Sequence, residues 1–196
     1  MSDRQTRSPR VLLLAGDRVG ANCTSDRGKL SILEKFRRYG WTITLAGAER
    51  IVSPCAFAAK LGAVPLEMDC TVNELGPILD YDVVSVLPAP HHEGLCRSAA
   101  VLDLLREASA ADLVVSSWCH GIRVLAAADV IRGKRVVAHA ADREAVEAAG
   151  GIFVGHDHPP VVDGRLVTGA RSYYYRAKNA EAIRCALRAR LGERDR

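Results

Sequence analysis

The stretch VVSSWCHGIRVL, residues 114–125, decides the fold. Its first half is a short apolar run, as in a buried strand, and its second half sets apolar residues at helical spacing. Between them, Ser117-Trp118-Cys119-His120-Gly121 has a small residue two places either side of a cysteine. That is the pattern of a nucleophile elbow, a strand-to-helix turn too tight for large flanking residues, with cysteine in the place of serine. Such a turn lifts the thiol into a cleft. The free N–H groups of the following helix then favour the reactive thiolate and can hold a developing oxyanion. Cysteine is also among the most buried residue types, so an inert thiol beside a chance histidine is the competing reading.

Outward from the elbow, strand-like and helical patterns alternate. RVLLLAG (10–16), WTITLAG (41–47), YDVVSVLP (81–88), ADLVVSS (111–117) and GKRVVAH (133–139) read as strands. GKLSILEKFRRYG (28–40), TVNELGPIL (71–79), LCRSAAVLDLLREASA (95–110), HGIRVLAAADVI (120–131), DREAVEAAG (142–150) and NAEAIRCALRARLG (179–192) read as helices. VVDGRLVTG (161–169) reads as a hairpin around Asp163-Gly164. The alternation predicts an α/β, flavodoxin-like, doubly wound fold: a mostly parallel sheet with helices on both faces. One domain is expected over residues 10–192, behind a disordered tail at residues 1–9. In such folds ligands bind at the carboxyl ends of the strands. Cys119, Asp17, His139 and the PAPHHE loop (88–93) all fall there.

Bulk properties narrow the function. With 196 residues, 48% apolar and 26% charged, the chain can build one sizeable core. No apolar run approaches the roughly 18 residues of a membrane span, and the N-terminus lacks the apolar heart of a signal peptide. The six cysteines are scattered without CxxC spacing, so reduced thiols and a cytoplasmic protein are expected. A net charge of +4 with no nucleic-acid motif predicts neither nucleic-acid nor membrane binding.

At the elbow a family resemblance becomes visible. Residues 81–169 resemble the ThiJ/PfpI superfamily in the order of their elements, and WCHG is the most specific part; ILEKFRRYGWTITLAG also fits. The resemblance implies a cofactor-independent cysteine enzyme with Cys119 as nucleophile, acting on a small molecule. His120 matches the histidine that follows the nucleophile in the PfpI-like branch. His139 matches a histidine near the thiol in the deglycase-like branch, so which of the two is the base stays open. The chemistry implied is that of a hydratase, a glyoxalase or deglycase, or an amide hydrolase, with specialised metabolism as one setting. Relatives imply a homodimer or higher homo-oligomer.

Two departures stand out. Where the family has PGG, this chain has Ala89 and Pro90, and proline has no N–H to offer an oxyanion. The family's first-strand glutamate is missing; Asp17 is the nearest carboxylate and the candidate substitute, with Asn22, Cys23 and Asp26 in the same loop.

The remaining candidates carry paired readings. His91, His92 and Glu93 either bind substrate or metal, or form a solvated loop tip. By resemblance Glu93 also reaches a neighbouring subunit's site. The HDH motif (156–158) has metal-ligand chemistry, but its flanking prolines suggest a turn. Arg171 and Tyr173, in RSYYY, lie where the family closes its pocket; packing or a subunit interface explains the tyrosines equally well. Trp118 and Gly121 join the substrate-binding candidates as neighbours of the thiol. A redox-sensing or chaperone-like protein is the alternative function, and a metal-binding module on His91, His92, His156 and His158 is a third.

Overall fold

The computed structural model describes residues 7–24 and 31–192, except for the side chains of Asn22, Thr24 and Tyr173. Strand β1 (Arg10–Leu14) is an unbroken apolar run because both its faces are covered. Val11 and Leu13 point into one core layer, Leu12 and Leu14 into the other, and all four are fully buried. Each such leucine is worth about 1.5–3 kcal/mol relative to exposure.

After α1 (Ala21–Thr24), helix α2 (Ile32–Arg38) starts at a capping box. Ser31 accepts from the Glu34 N–H at 3.2 Å, and its own N–H donates to Glu34 Oε2 at 2.7 Å. The predicted start at residue 28 lies outside the described residues. Next come β2 (Thr42–Gly47), β3 (Ile51–Val52), α3 (Ala56–Lys60), β4 (Leu66–Glu67) and β5 (Cys70–Thr71). The helix expected over residues 71–79 is instead two 3-10 turns, because Gly76 and Pro77 break it between them. Strand β6 (Val83–Val86) precedes α4 (Glu93–Arg97) and α5 (Ala99–Ala110). The single helix expected over 95–110 is cut at Ser98, which caps α5 by accepting from the Val101 N–H.

Strand β7 (Val114–Trp118) ends at the elbow, followed by α6 (Ile122–Ala127), β8 (Arg135–Val137), α7 (Arg143–Ala148) and β9 (Ile152–Gly155). Strands β10 (Val161–Asp163) and β11 (Leu166–Gly169) form the expected hairpin, and α8 (Ser172–Leu191) closes the chain. The main sheet runs β10-β11-β7-β6-β1-β2-β5. All its pairings are parallel except the hairpin. Strand β8 departs from expectation. Among the described residues it pairs with β9 alone, and Val137 N–H donates to Thr168 Oγ1 of the main sheet at 2.9 Å.

The tail is tied closer than predicted. Arg7 pairs with Asp82 at 3.1 Å and Ser8 donates to the Gly40 carbonyl, so residues 7–9 belong to the fold. Residues 1–6 lie outside the described residues. Among the described residues no helix is long and apolar enough to cross a membrane.

Candidate active site

The elbow forms as the sequence predicts. Cys119 opens a 3-10 turn at φ +54°, a left-handed conformation that costs a non-glycine residue roughly 1–2 kcal/mol. Close packing fixes the turn. A Cβ added to Gly121 would lie 3.1 Å from Val86 Cγ1 and 3.3 Å from the Val86 carbonyl, so helix α6 can cross β6 this tightly only with glycine there.

Histidine 120 is held by a residue the sequence reading missed. Its Nδ1 lies 2.8 Å from Asp142 Oδ2, and Arg123 Nε donates to the other carboxylate oxygen. The Asp142 side chain is fully buried. Burial pushes its carboxyl up, but the hydrogen bonds from His120 and Arg123 more than offset this, so it sits below the ordinary value and stays ionised. An ionised carboxylate can only accept, so His120 Nδ1 carries a proton and, in the neutral ring, the lone pair lies on Nε2. The turn that delivers Asp142 is capped by His139, whose Nδ1 accepts from the Ala141 N–H at 3.2 Å. That bond leaves the His139 proton on Nε2. Burial, then neighbouring His120 and His156, lower the His139 pKa and keep the ring neutral. The signal for Asp142 was available: a carboxylate three residues past His139, at the carboxyl end of the same strand.

The thiol corrects the sequence expectation. Burial pushes Cys119 up; the His120 backbone N–H favours the thiolate but does not compensate, and Asp142 opposes it further. Helix α6 has only six residues, too short to reverse this. At rest Cys119 is therefore a thiol, not a standing thiolate.

Cys119 and His120 open onto a cavity of about 680 Å³ at the carboxyl ends of the strands. Ala89, His139 and Arg171 also line it, as does His156, whose ring stands edge-on to His139 at 4.6 Å. The His120 and His139 ring centroids are 4.3 Å apart.

Other candidates sit elsewhere. Trp118 is 1% exposed; its Nε1 donates to Ser85 Oγ at 3.0 Å and its ring packs on Phe36, so it is core rather than substrate contact. Cys23 is fully buried, and burial drives its thiol up to about 12, which removes it from the substrate-binding set. Asp17 accepts from the Gly94 N–H at 3.0 Å and is not among the cavity's described lining residues, so it anchors the 91–94 loop instead of replacing the glutamate. In that loop His91 and Glu93 face each other at the surface, 3.9 Å apart, while His92 turns inward and is 1% exposed; none of the three lines the cavity. Gly121 acts through packing. The side chains of Asn22 and Tyr173 lie outside the described residues, as does Asp26.

For metal ligation, the proposed set His91, His92, His156 and His158 does not converge. Among the described residues the one cluster of three ligand-type donors, mutually within 4.8 Å, is His120, His139 and Asp142. Its Nδ1 atoms already face Asp142 and the Ala141 N–H.

Comparison with known proteins agrees with this architecture. A protein from Anabaena variabilis with a DJ-1/ThiJ/PfpI-like and a ferritin-like domain superposes with TM-score 0.74 at 21% identity, over 94% of this chain and 48% of that one. A ThiJ/PfpI domain protein from Brachyspira murdochii gives TM-score 0.74 at 14% identity, over 93% and 98%. In sequence, protein DJ-1 homolog D of Arabidopsis thaliana is 36% identical over 105 residues, 53% of this chain but 27% of the plant protein. The chain thus spans about half of the two-domain protein, and the match takes in about a quarter of the plant protein. The profile of the DJ-1/PfpI family matches residues 10–182, and the chain belongs to that family.

Proposed function

We propose that this chain is a cofactor-independent cysteine enzyme acting on a small electrophile by hydratase, glyoxalase or deglycase, or amide-hydrolase chemistry. The observation that carries it is the Asp142–His120 bond beside a thiol held at a strained elbow. His120 Nε2 takes the Cys119 proton as sulfur attacks the electrophilic carbon. For a carbonyl substrate the C–S bond forms, the C=O π pair moves to oxygen, and the imidazolium returns its proton there. Asp142 holds the tautomer and offsets the imidazolium charge. A resting thiol beside a positioned base suits catalysis better than redox sensing, since oxidation starts from the thiolate.

The test is turnover of 2-oxoaldehydes, an isonitrile and a primary amide by the wild type, Cys119→Ser and Asp142→Asn. Cys119→Ser should abolish turnover of whichever substrate is found, and Asp142→Asn should lower kcat by about 10²–10⁴ through the wrong tautomer. Retention of full activity by both variants would remove the proposal. Full activity in Asp142→Asn alone would move the base role from His120 to His139.

The reading includes two further parts. All six cysteines are free thiols, which fits a reducing compartment such as the cytoplasm. The family likeness supports a homodimer, and light scattering should give twice the chain mass; a monomer at micromolar concentration would count against it.

A further inference from the structure

The lining of the cavity names a substrate class. At about 680 Å³ it lies within the 300–1,000 Å³, roughly, of sites that enclose drug-sized ligands, far more than a two- or three-carbon aldehyde fills. Its polar groups are the thiols of Cys55 and Cys119, the three histidines, Arg171, Ser172 and the Tyr174 hydroxyl. Much of the rest is apolar. Phe57 and Leu61 come from α3 and the residue that ends it, Pro88 and Pro90 follow β6, and Tyr174 comes from the first turn of α8. Phe57 is 68% exposed and Tyr174 72% exposed, with the Arg171 guanidinium over one face of the Tyr174 ring.

Charge is the second constraint. Among the described lining residues Arg171 is the one permanent cation, and no carboxylate is present. Its guanidinium already pairs with Asp157 and lies 4.3 Å over the Tyr174 ring. His139 is held neutral. A cationic substrate would lose hydration here and meet no carboxylate, and an anionic one would have to compete with Asp157 for Arg171, whereas an apolar group gains by entering.

We propose that the site takes an uncharged electrophile bearing an apolar arm about as large as a benzene ring, with the arm against Phe57 and Tyr174 and the reactive carbon at Cys119. This rests on Cys119 being the reactive thiol, but not on any particular turnover.

Alkylation by matched chloroacetamides tests it. In each, the sulfur displaces chloride, forming the C–S bond, and the thiol proton passes to a base. Chloroacetamide, its N-benzyl derivative and its N-(4-carboxybenzyl) derivative would be reacted with the full chain and with N-acetylcysteine. Peptide mass spectrometry reads the rate at Cys119. Relative to the free thiol, N-benzyl should be favoured at Cys119 by about tenfold or more, as burial of a ring predicts. The carboxylate should cancel most of that gain. Phe57→Ser and Tyr174→Ser, both at exposed positions, should each reduce the preference. A benzyl preference no greater than that of the free thiol would overturn the proposal. So would a carboxylate compound as fast as the benzyl one, or failure of every reagent at Cys119 while exposed Cys185 reacts. Because labelling needs no turnover, the two readings fail separately. A benzyl preference alongside an active Cys119→Ser variant removes the catalytic role and keeps the pocket; the reverse pattern does the opposite.

Discussion

At the scale of single residues, burial outweighs local favours. Cys119 has a backbone N–H and histidine neighbours, yet loss of water keeps its thiol protonated. His92 is the stronger case. It is 1% exposed, and no hydrogen bond of normal geometry reaches either ring nitrogen. Burial, then the nearby His120 charge, lowers its pKa from 6.5 to about 4. The unfolded chain therefore takes up a proton as pH falls through 6.5, while the folded chain stays neutral until about 4. Acid thus favours unfolding in that window, and the stability present above pH 6.5 is lost towards pH 4. One group shifted this far is worth about 3 kcal/mol. Urea unfolding at neutral pH and near the lower limit should show the wild type losing about that much more than His92→Leu. Parallel losses in the two proteins would mean that His92 does not carry the dependence.

At the scale of elements, the elbow was legible because small residues around a nucleophile between a strand and a helix leave few other solutions. The reason for Gly121, its contact with Val86, was not legible, because the partner lies 35 residues away in sequence. Helix α8 shows the same limit. The sequence pattern starts this helix at Asn179, yet the helix begins at Ser172. Ile183 and Leu187 are buried in the core layer that also holds Val11 and Leu13 of β1, and α8 packs on β7, β11 and α2. At Gly169 a Cβ would fall 2.1 Å from Asn179 Oδ1, so the helix approaches the end of β11 at glycine distance. Long-range packing of this kind supplies helical stability that local propensity does not.

At the scale of the molecule, the first described residues and the last helix converge on one buried carboxylate. Asp82, just before β6, has a side chain 5% exposed. It accepts from the Arg10 N–H at 2.9 Å and pairs with Arg7 and, at 3.2 Å, with Arg190 of α8. The Arg190 side chain is itself only 11% exposed. Removing one partner of such a buried group strands the other's charge. Asp82→Ala should therefore cost about 3–5 kcal/mol in a urea unfolding titration. An unchanged midpoint would show that the cluster is a solvated surface contact.

The sequence by itself determined the class of fold, where most of the main strands lie along the chain, and the elbow that carries Cys119, because these follow from periodicity and from small residues at fixed spacing. It also brought His120 and His139 to the same end of the sheet. Only the tertiary structure decided which groups touch. Asp142 became the partner of His120, Asp17 became a loop anchor, Trp118 and Cys23 went into the core, and β8 left the main sheet for β9. Each of these depends on contacts between residues distant in sequence or on how much water a side chain loses. Neither quantity has a period, and neither can be read along the chain.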